Sequence, residues 1–340
     1  MIVPFLDELS ALSLSLSAGE RKLFSSPIQW VCLANGDADF QDNVIFFGFA
    51  DKQTDPVLVA KVPRLLKNGW MLKTEYDHLV ELWDRIGAEA VRFVPKPYTL
   101  ASVQGRPILM LSYVPGESLT RLGSKSFWGE SALVLSLAKE AAQTLRGLNR
   151  LTERPLARQE PQPIDFSSKA EKFREIFKLT TEEDRVLSKL VQSVHEKMKE
   201  ASHEVLLQGD FWHGNMIRDT QRGALMLVDW QFARWSADAS LDVYFFLLAG
   251  ALSTTGNGPV EERAKLAYEL LSRWRADVIP AYMAAYGKPE QYALLPQKEG
   301  MLLCCVEKAV RSALEFGYSH TDDLLWRCLF SELQNWPVET

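Results

Sequence analysis

Residues 205–230 read VLLQGDFWHGNMIRDTQRGALMLVDW, and the way this stretch must turn back on itself decides the fold. Two apolar runs, 205–207 and 224–228, each lead into a polar segment that carries Asp210, Asn215 or Asp229. Short apolar runs bounded by Gly and Asp read as buried strands, so 216–218 and 224–228 are expected to pair as a hairpin around 219–223. That pairing returns Asp229 to the neighbourhood of Asn215. Asp and Asn oxygens gathered in this way suit a hard cation such as Mg²⁺, which takes few protein ligands and completes its shell with phosphate and water. Asp210, five residues before Asn215, then stands beside the metal as base or orienter. The plain alternative is a polar loop joining two strands.

The spacing Asp-x-x-x-x-Asn, with a second Asp after a hairpin, is how kinases place a catalytic Asp, a metal-binding Asn and a metal-binding Asp around a γ-phosphate. With Gly209, Phe211, Trp212 and Gly214 included, the segment resembles the aminoglycoside phosphotransferase and choline kinase-like family. The signature of that family is His-Gly-Asp, several residues, Asn, then an apolar run ending in Asp. One position departs from it: Gln208 stands where the family has His. Gln hydrogen-bonds but cannot become cationic, which leaves open how the catalytic loop is held.

The resemblance implies an α+β, two-lobed protein kinase-like fold. Residues 1–111 would form a small antiparallel β-rich N-lobe, 112–116 a hinge and 117–340 a larger helical C-lobe. It further implies ATP in a cleft, Mg²⁺ on Asn215 and Asp229, and Asp210 as the catalytic group acting on the hydroxyl of a small molecule. Gln208 and Asp242 would brace the catalytic loop.

Residues 28–33, 44–49 and 57–62 read as three strands of an antiparallel meander. The loop 34–43 has one glycine and three aspartates, so it carries no Gly-rich phosphate signature. Lys61 lies within an apolar strand, where a buried cation needs a partner. Residues 72–86 carry Tyr76, Leu79, Trp83 and Ile86 at helical spacing, with Glu75 bordering the inward stripe. A strand Lys paired with a Glu of the next helix is the kinase device for holding α- and β-phosphates. A snorkelling Lys and a solvated Glu are the alternatives, and Asp77 or Glu81 is the spare carboxylate.

Residues 98–103 and 107–111 read as a hairpin that exits through Ser112-Tyr113-Val114-Pro115-Gly116. The resemblance makes this the hinge, with Leu111 lining the adenine pocket and backbone groups of Ser112 and Val114 bonding its edge. Residues 132–148 fit a central buried helix, and Ser168 with Glu171 and Thr180 with Glu183 match capping boxes. Residues 259–286, 296–316 and 321–333 read as further helices. Their polar faces carry Glu307, Arg311, Glu315, Asp322 and Asp323, and in relatives acidic groups on these helices receive amines.

Composition narrows the function. A formal net charge of −6 opposes a general role in holding nucleic acid, whose affinity comes from Lys and Arg. Cys32, Cys304, Cys305 and Cys328 form no metal-ligand series and read as free thiols in a reducing compartment. The N-terminus has no basic segment of a signal peptide, and the longest dense apolar run, 243–252, is too short to span a membrane. The expectation is a cytoplasmic small-molecule kinase without nucleic acid or membrane partners. A protein kinase of the same fold and a catalytically silent nucleotide or metabolite binder are its rivals.

Overall fold

The computed structural model describes residues 2–14, 16, 28–33, 43–119, 131–156, 166–315 and 320–337. Two compact units emerge: residues 1–117 with 217–233, and 118–216 with 234–340. The loop 34–43 lies outside the described residues except for its last position, Asn43.

The first unit is built on a five-stranded sheet in the order β1-β2-β3-β5-β4. Its strands are β1 (Gln29–Leu33), β2 (Asn43–Phe49), β3 (Leu58–Pro63), β4 (Pro97–Val103) and β5 (Arg106–Ser112). All four neighbouring pairs run antiparallel. Register sorts the faces. Phe46, Ala60 and Met110 are directly opposite one another, while Lys61 lies opposite Ile45 and Leu109. Because neighbouring residues of a strand face opposite sides, the first row joins a core of Leu9, Val62, Val103 and Ile108. Lys61 is thereby turned to the other face. Leu9 comes from helix α1 (Ile2–Leu14), an N-terminal helix that the sequence reading did not foresee.

Helix α2 (Gly69–Ile86) buries Met71, Leu72, Glu75, Leu79 and Leu82, a helical stripe with one carboxylate inside it. A second sheet joins β6 (Gly116–Ser118), β9 (Met216–Asp219) and β10 (Ala224–Leu227) in the order β10-β9-β6, so the foreseen hairpin is present. Gly116 has φ 150°, and a Cβ there would meet the Arg218 carbonyl oxygen at 2.0 Å. Only glycine lets the two backbones approach so closely.

In the second unit, helix α3 (Ser131–Thr152) leads to β7 (Arg154–Pro155), α4 (Phe166–Ile176), α5 (Thr181–Glu200) and β8 (His203–Leu207). Then come β11 (Arg234–Ser236), α6 (Ser240–Ser253), α7 (Val260–Trp274), α8 (Val278–Tyr286), α9 (Gln297–Glu315) and α10 (His320–Leu333). Strands β7, β8 and β11 make a small sheet in the order β11-β8-β7.

Three local readings are corrected. The central buried helix is α6, buried at every position from Ser240 to Leu252, whereas α3 alternates buried and exposed positions in the manner of an amphipathic helix. Residues 259–286 form two helices because Pro280 lacks an N–H and would clash inside a continuous helix. Asp277 restarts the chain by accepting the Val278 N–H at 2.6 Å, which leaves Pro280 in a first turn that needs no donor. Ser168 lies inside α4, not at its cap. Thr180 and Glu183 do form the reciprocal capping box of α5.

Candidate functional site

In the first unit, Lys61 is 5% exposed and Glu75 fully buried. The ammonium donates to both Glu75 oxygens, at 2.7 and 3.0 Å, and to Asp229 Oδ1. Burial alone would drive the Lys61 proton off, but Asp229 and Glu75 outweigh it and hold the group above its ordinary value. Burial pushes Glu75 up, while Lys61 and the Trp230 backbone N–H pull it down. The alternatives of a snorkelling Lys and a solvated Glu therefore fail, and Asp77 instead pairs with Lys73 at the surface.

Asp229 follows β10 at φ 60°, a left-handed conformation uncommon for a residue with a side chain. The next residue explains how it is kept there: Trp230 is fully buried and its Nε1–H donates to the Leu227 carbonyl at 3.1 Å. The turn is thus locked around a carboxylate whose side chain stays 43% exposed.

Leu111 and Val114 are buried at the exit of β5. The Ser112 N–H has its partner within this unit. The Ser112 N–H already donates to the Lys96 carbonyl at 2.8 Å, and Ser112 Oγ accepts the Lys96 N–H at 2.8 Å. That N–H is spent on holding the strand end and is closed to a ligand.

In the second unit, β8 delivers Gln208 into a loop held from three sides. Asp242, in the first turn of α6, accepts the N–H groups of Gln208 at 2.6 Å and Gly209 at 2.9 Å. Burial pushes its carboxyl up to about 6 against the pull of those bonds. Gln208 Oε1 accepts the Asp210 N–H at 2.8 Å, so a neutral amide does the holding at the position where His was expected. Asn215 Nδ2 donates to the Asp210 carbonyl at 3.0 Å and to its Oδ2 at 2.8 Å.

The third support comes from α9. Lys308 Nζ pairs with Asp210 Oδ1 and lies 3.3 Å from the Gly209 carbonyl and 3.4 Å from the centre of the Phe245 ring. Arg311 donates to the same carbonyl at 3.0 Å and stands 3.8 Å from Asp210 Oδ1. Burial would raise the Asp210 carboxyl, but Lys308, Arg311 and Asn215 hold it below its usual range. Burial lowers Lys308 to about 8, with Arg311 adding and Asp210 opposing.

Sequence reasoning missed Lys308. The available signal was a Lys and an Arg three residues apart in the largely apolar stretch that runs from Met301 through Arg311, all of it buried. Glu307, foreseen as a receiver of amines, is buried and already bound by Lys169 and Arg234. The side chains of Glu315, Asp322 and Asp323 lie outside the described residues. His213 is buried, which lowers it to about 4 and leaves a neutral imidazole facing Ser253 Oγ at 3.3 Å.

Among the described residues no group of three or more His, Cys, Asp or Glu side chains forms a self-contained metal site. Each unit offers one hard side-chain oxygen of a different kind. Asn215 commits its amide nitrogen to Asp210, so its Oδ1 accepts no hydrogen bond among the described residues, and Asp229 presents an exposed carboxylate. Isolated hard oxygens of this kind fit a cation such as Mg²⁺ that draws most of its shell from phosphate and water.

Comparison with known proteins identifies a family. The model of the phosphotransferase enzyme family matches residues 73–295, more than half of the chain. An aminoglycoside phosphotransferase from Streptomyces rimosus superposes with a TM-score of 0.51 at 17% identity, covering 87% of this chain and 97% of that one. A macrolide 2′-phosphotransferase from Brachybacterium faecium superposes with a TM-score of 0.52 at 14% identity, over 99% of both chains. At such identities the likeness speaks for the fold, an antiparallel sheet followed by a helical part. No curated protein sequence matches significantly. Since the matched span takes in both Glu75 and the whole stretch from Gln208 to Asp229 and covers more than half of the sequence, the chain belongs to the phosphotransferase enzyme family.

Proposed function

We propose that the protein is an ATP-dependent small-molecule kinase. The observation that carries this reading is the buried Lys61 ammonium, held by Glu75 at 2.7 Å and turned toward Asp229. A cation fixed in this manner meets phosphate oxygens without first having to be ordered. Lys61, oriented by Glu75, is assigned to the α- and β-phosphates. Leu111 and Val114 are assigned to the adenine, with the carbonyl side of Ser112. Asn215 and Asp229 are assigned to Mg²⁺, which when bound spreads the negative charge of the phosphates.

Asp210 orients the acceptor hydroxyl and receives its proton as the new bond from the hydroxyl oxygen to the γ-phosphorus forms and the bond from that phosphorus to the bridging oxygen breaks, releasing ADP. Its depressed basicity matches a reaction in which the hydroxyl proton leaves late, so positioning counts for more than base strength. Gln208 and Asp242 keep the loop in shape and touch no reacting atom.

The test is ADP release with Mg²⁺-ATP across a panel of hydroxyl acceptors, repeated with Asp210→Asn. Acceptor-dependent release should fall on the order of 10²- to 10⁴-fold in the variant. Equal release from both proteins would sink the assignment.

A further inference from the structure

Stability alone does not account for a lysine at position 308. Its side chain is 7% exposed, in a largely apolar and wholly buried stretch of α9. Folding gains little from such a placement, because exchanging a buried ion pair for well-packed apolar groups is often neutral or stabilising. Yet the ammonium lies on the Asp210 carboxylate, the group assigned above to the acceptor hydroxyl. The two cations of α9 also divide their contacts. Arg311 donates to the Gly209 carbonyl at 3.0 Å and stays 3.8 Å from Asp210 Oδ1, beyond hydrogen-bond reach, so it holds backbone. Lys308 bonds Oδ1 itself, and the Gly209 carbonyl at 3.3 Å and the Phe245 ring at 3.4 Å keep its ammonium from swinging away. Asn215 takes the other oxygen, Oδ2, at 2.8 Å, but Asn215 belongs to the same loop as Asp210 and moves with it. Lys308 is anchored on a separate helix. One hydrogen bond leaves a carboxylate free to turn about its soft terminal torsion, whereas one on each oxygen fixes its plane.

Resting on the kinase reading above, we infer that Lys308 is a positioning residue for phosphoryl transfer: it sets the plane of the Asp210 carboxylate against the framework of α9 and touches no substrate itself. A carboxylate offers about four acceptor sites, of which Lys308 and Asn215 use two. The Asp210 side chain is 22% exposed, so the remaining sites are open to a hydroxyl, and fixing the plane fixes their direction. A misplacement of about 1 Å at a reacting group costs on the order of 10²-fold in rate. Lys308 exerts its effect wholly through Asp210, which separates this role from a general contribution to folding.

Two double-mutant cycles test this, each built from the full chain, Lys308→Met, Asp210→Asn and the double variant. The first reads urea unfolding without ligand, where the two substitutions should be coupled by at least about tenfold in the unfolding equilibrium constant. The second reads steady-state ADP release with Mg²⁺-ATP and whichever of choline, ethanolamine, homoserine, glucose and streptomycin gives the largest signal. Lys308→Met should lower kcat about 10²-fold, with KM for ATP and for the acceptor held within about twofold. Once Asp210 is already Asn, the same substitution should cost less than about threefold more, because residues that act as a unit are not additive. Equal losses in both backgrounds, a defect confined to KM, or an unchanged kcat overturns the inference. So does a coupling in the unfolding cycle below about twofold. Where Lys308→Met does not fold, Lys308→Gln, which keeps an N–H donor in place of the ammonium, is carried through both cycles under the same criteria. Absence of ADP release from the unaltered chain with every acceptor counts against the kinase reading, and the unfolding cycle then decides whether Lys308 fixes Asp210.

Discussion

Replacing Lys61 with Met leaves Glu75 buried without its cation, and the size of the effect follows from the geometry. At 2.7 Å and an effective dielectric constant of about 20, the attraction between the two charges is about 6 kcal/mol. Desolvation of both groups offsets much of this in the intact protein. When one partner is removed, however, the remaining charge keeps its penalty, and the loss is about 3–5 kcal/mol. Urea denaturation of Lys61→Met at pH 7 should show a loss of that order, with Lys61→Met/Glu75→Gln recovering most of it because no buried charge remains. The pH dependence has a definite sign. Without Lys61 the folded-state pKa of Glu75, already raised by burial, rises further, so the folded chain holds a proton that the unfolded chain has released. Stability of the single variant therefore falls as pH rises above the ordinary Glu value of 4.5, and its deficit is smaller at pH 5 than at pH 8. In the wild-type chain Lys61 has the same sign in a different window: its stabilisation is complete below 10.5 and is lost only at more alkaline pH. Equal losses in the single and double variants, or a single-variant deficit that does not change with pH, would refute the view that Lys61 exists to balance a buried carboxylate.

Further outcomes are expected from the same reasoning. Asp229→Ala removes one of the two carboxylates on the buried Lys61 while Glu75 still balances it, so it should lower the unfolding free energy by about 1–2 kcal/mol while abolishing Mg²⁺-dependent ADP release; retained release would remove Asp229 from the metal assignment. Gly116→Ala should destabilise the protein by more than about 1 kcal/mol, because it combines a left-handed φ with a clash against the Arg218 carbonyl; an unchanged midpoint would show that the two strands can part freely. Thr180→Ala removes one half of the α5 capping box and should cost about 1 kcal/mol with no change in acceptor preference; a shift in preference would tie the α5 terminus to the acceptor.

Much of the site was legible because its residues are close in sequence or carried by simple periodicities. Gln208 through Asp229 forms one continuous stretch, and a hairpin between two apolar runs was enough to foresee β9 and β10. Lys61 and Glu75 were legible because each is a charge placed in an otherwise apolar stripe, one of period two and one helical. The break at Pro280 was also readable, since the residue cannot sit inside a helix, but apolar periodicity on both sides masked it. Lys308 was harder. Its partner lies 98 positions away, and no local pattern tells which loop a helix ending will face.

The clamp on Asp210 has a consequence for how the protein is made. Synthesis proceeds from the N-terminus, and the loop from Gln208 to Asn215 leaves the ribosome well before α9 (Gln297–Glu315). Until Lys308 and Arg311 arrive, the loop has its internal bonds and Asp242 but lacks the two cations that fix the Asp210 carboxylate. A chain ending before residue 297 would carry the complete signature motif and still hold its Asp210 loose. The formation of α9 therefore supplies the last two charges that fix the Asp210 carboxylate.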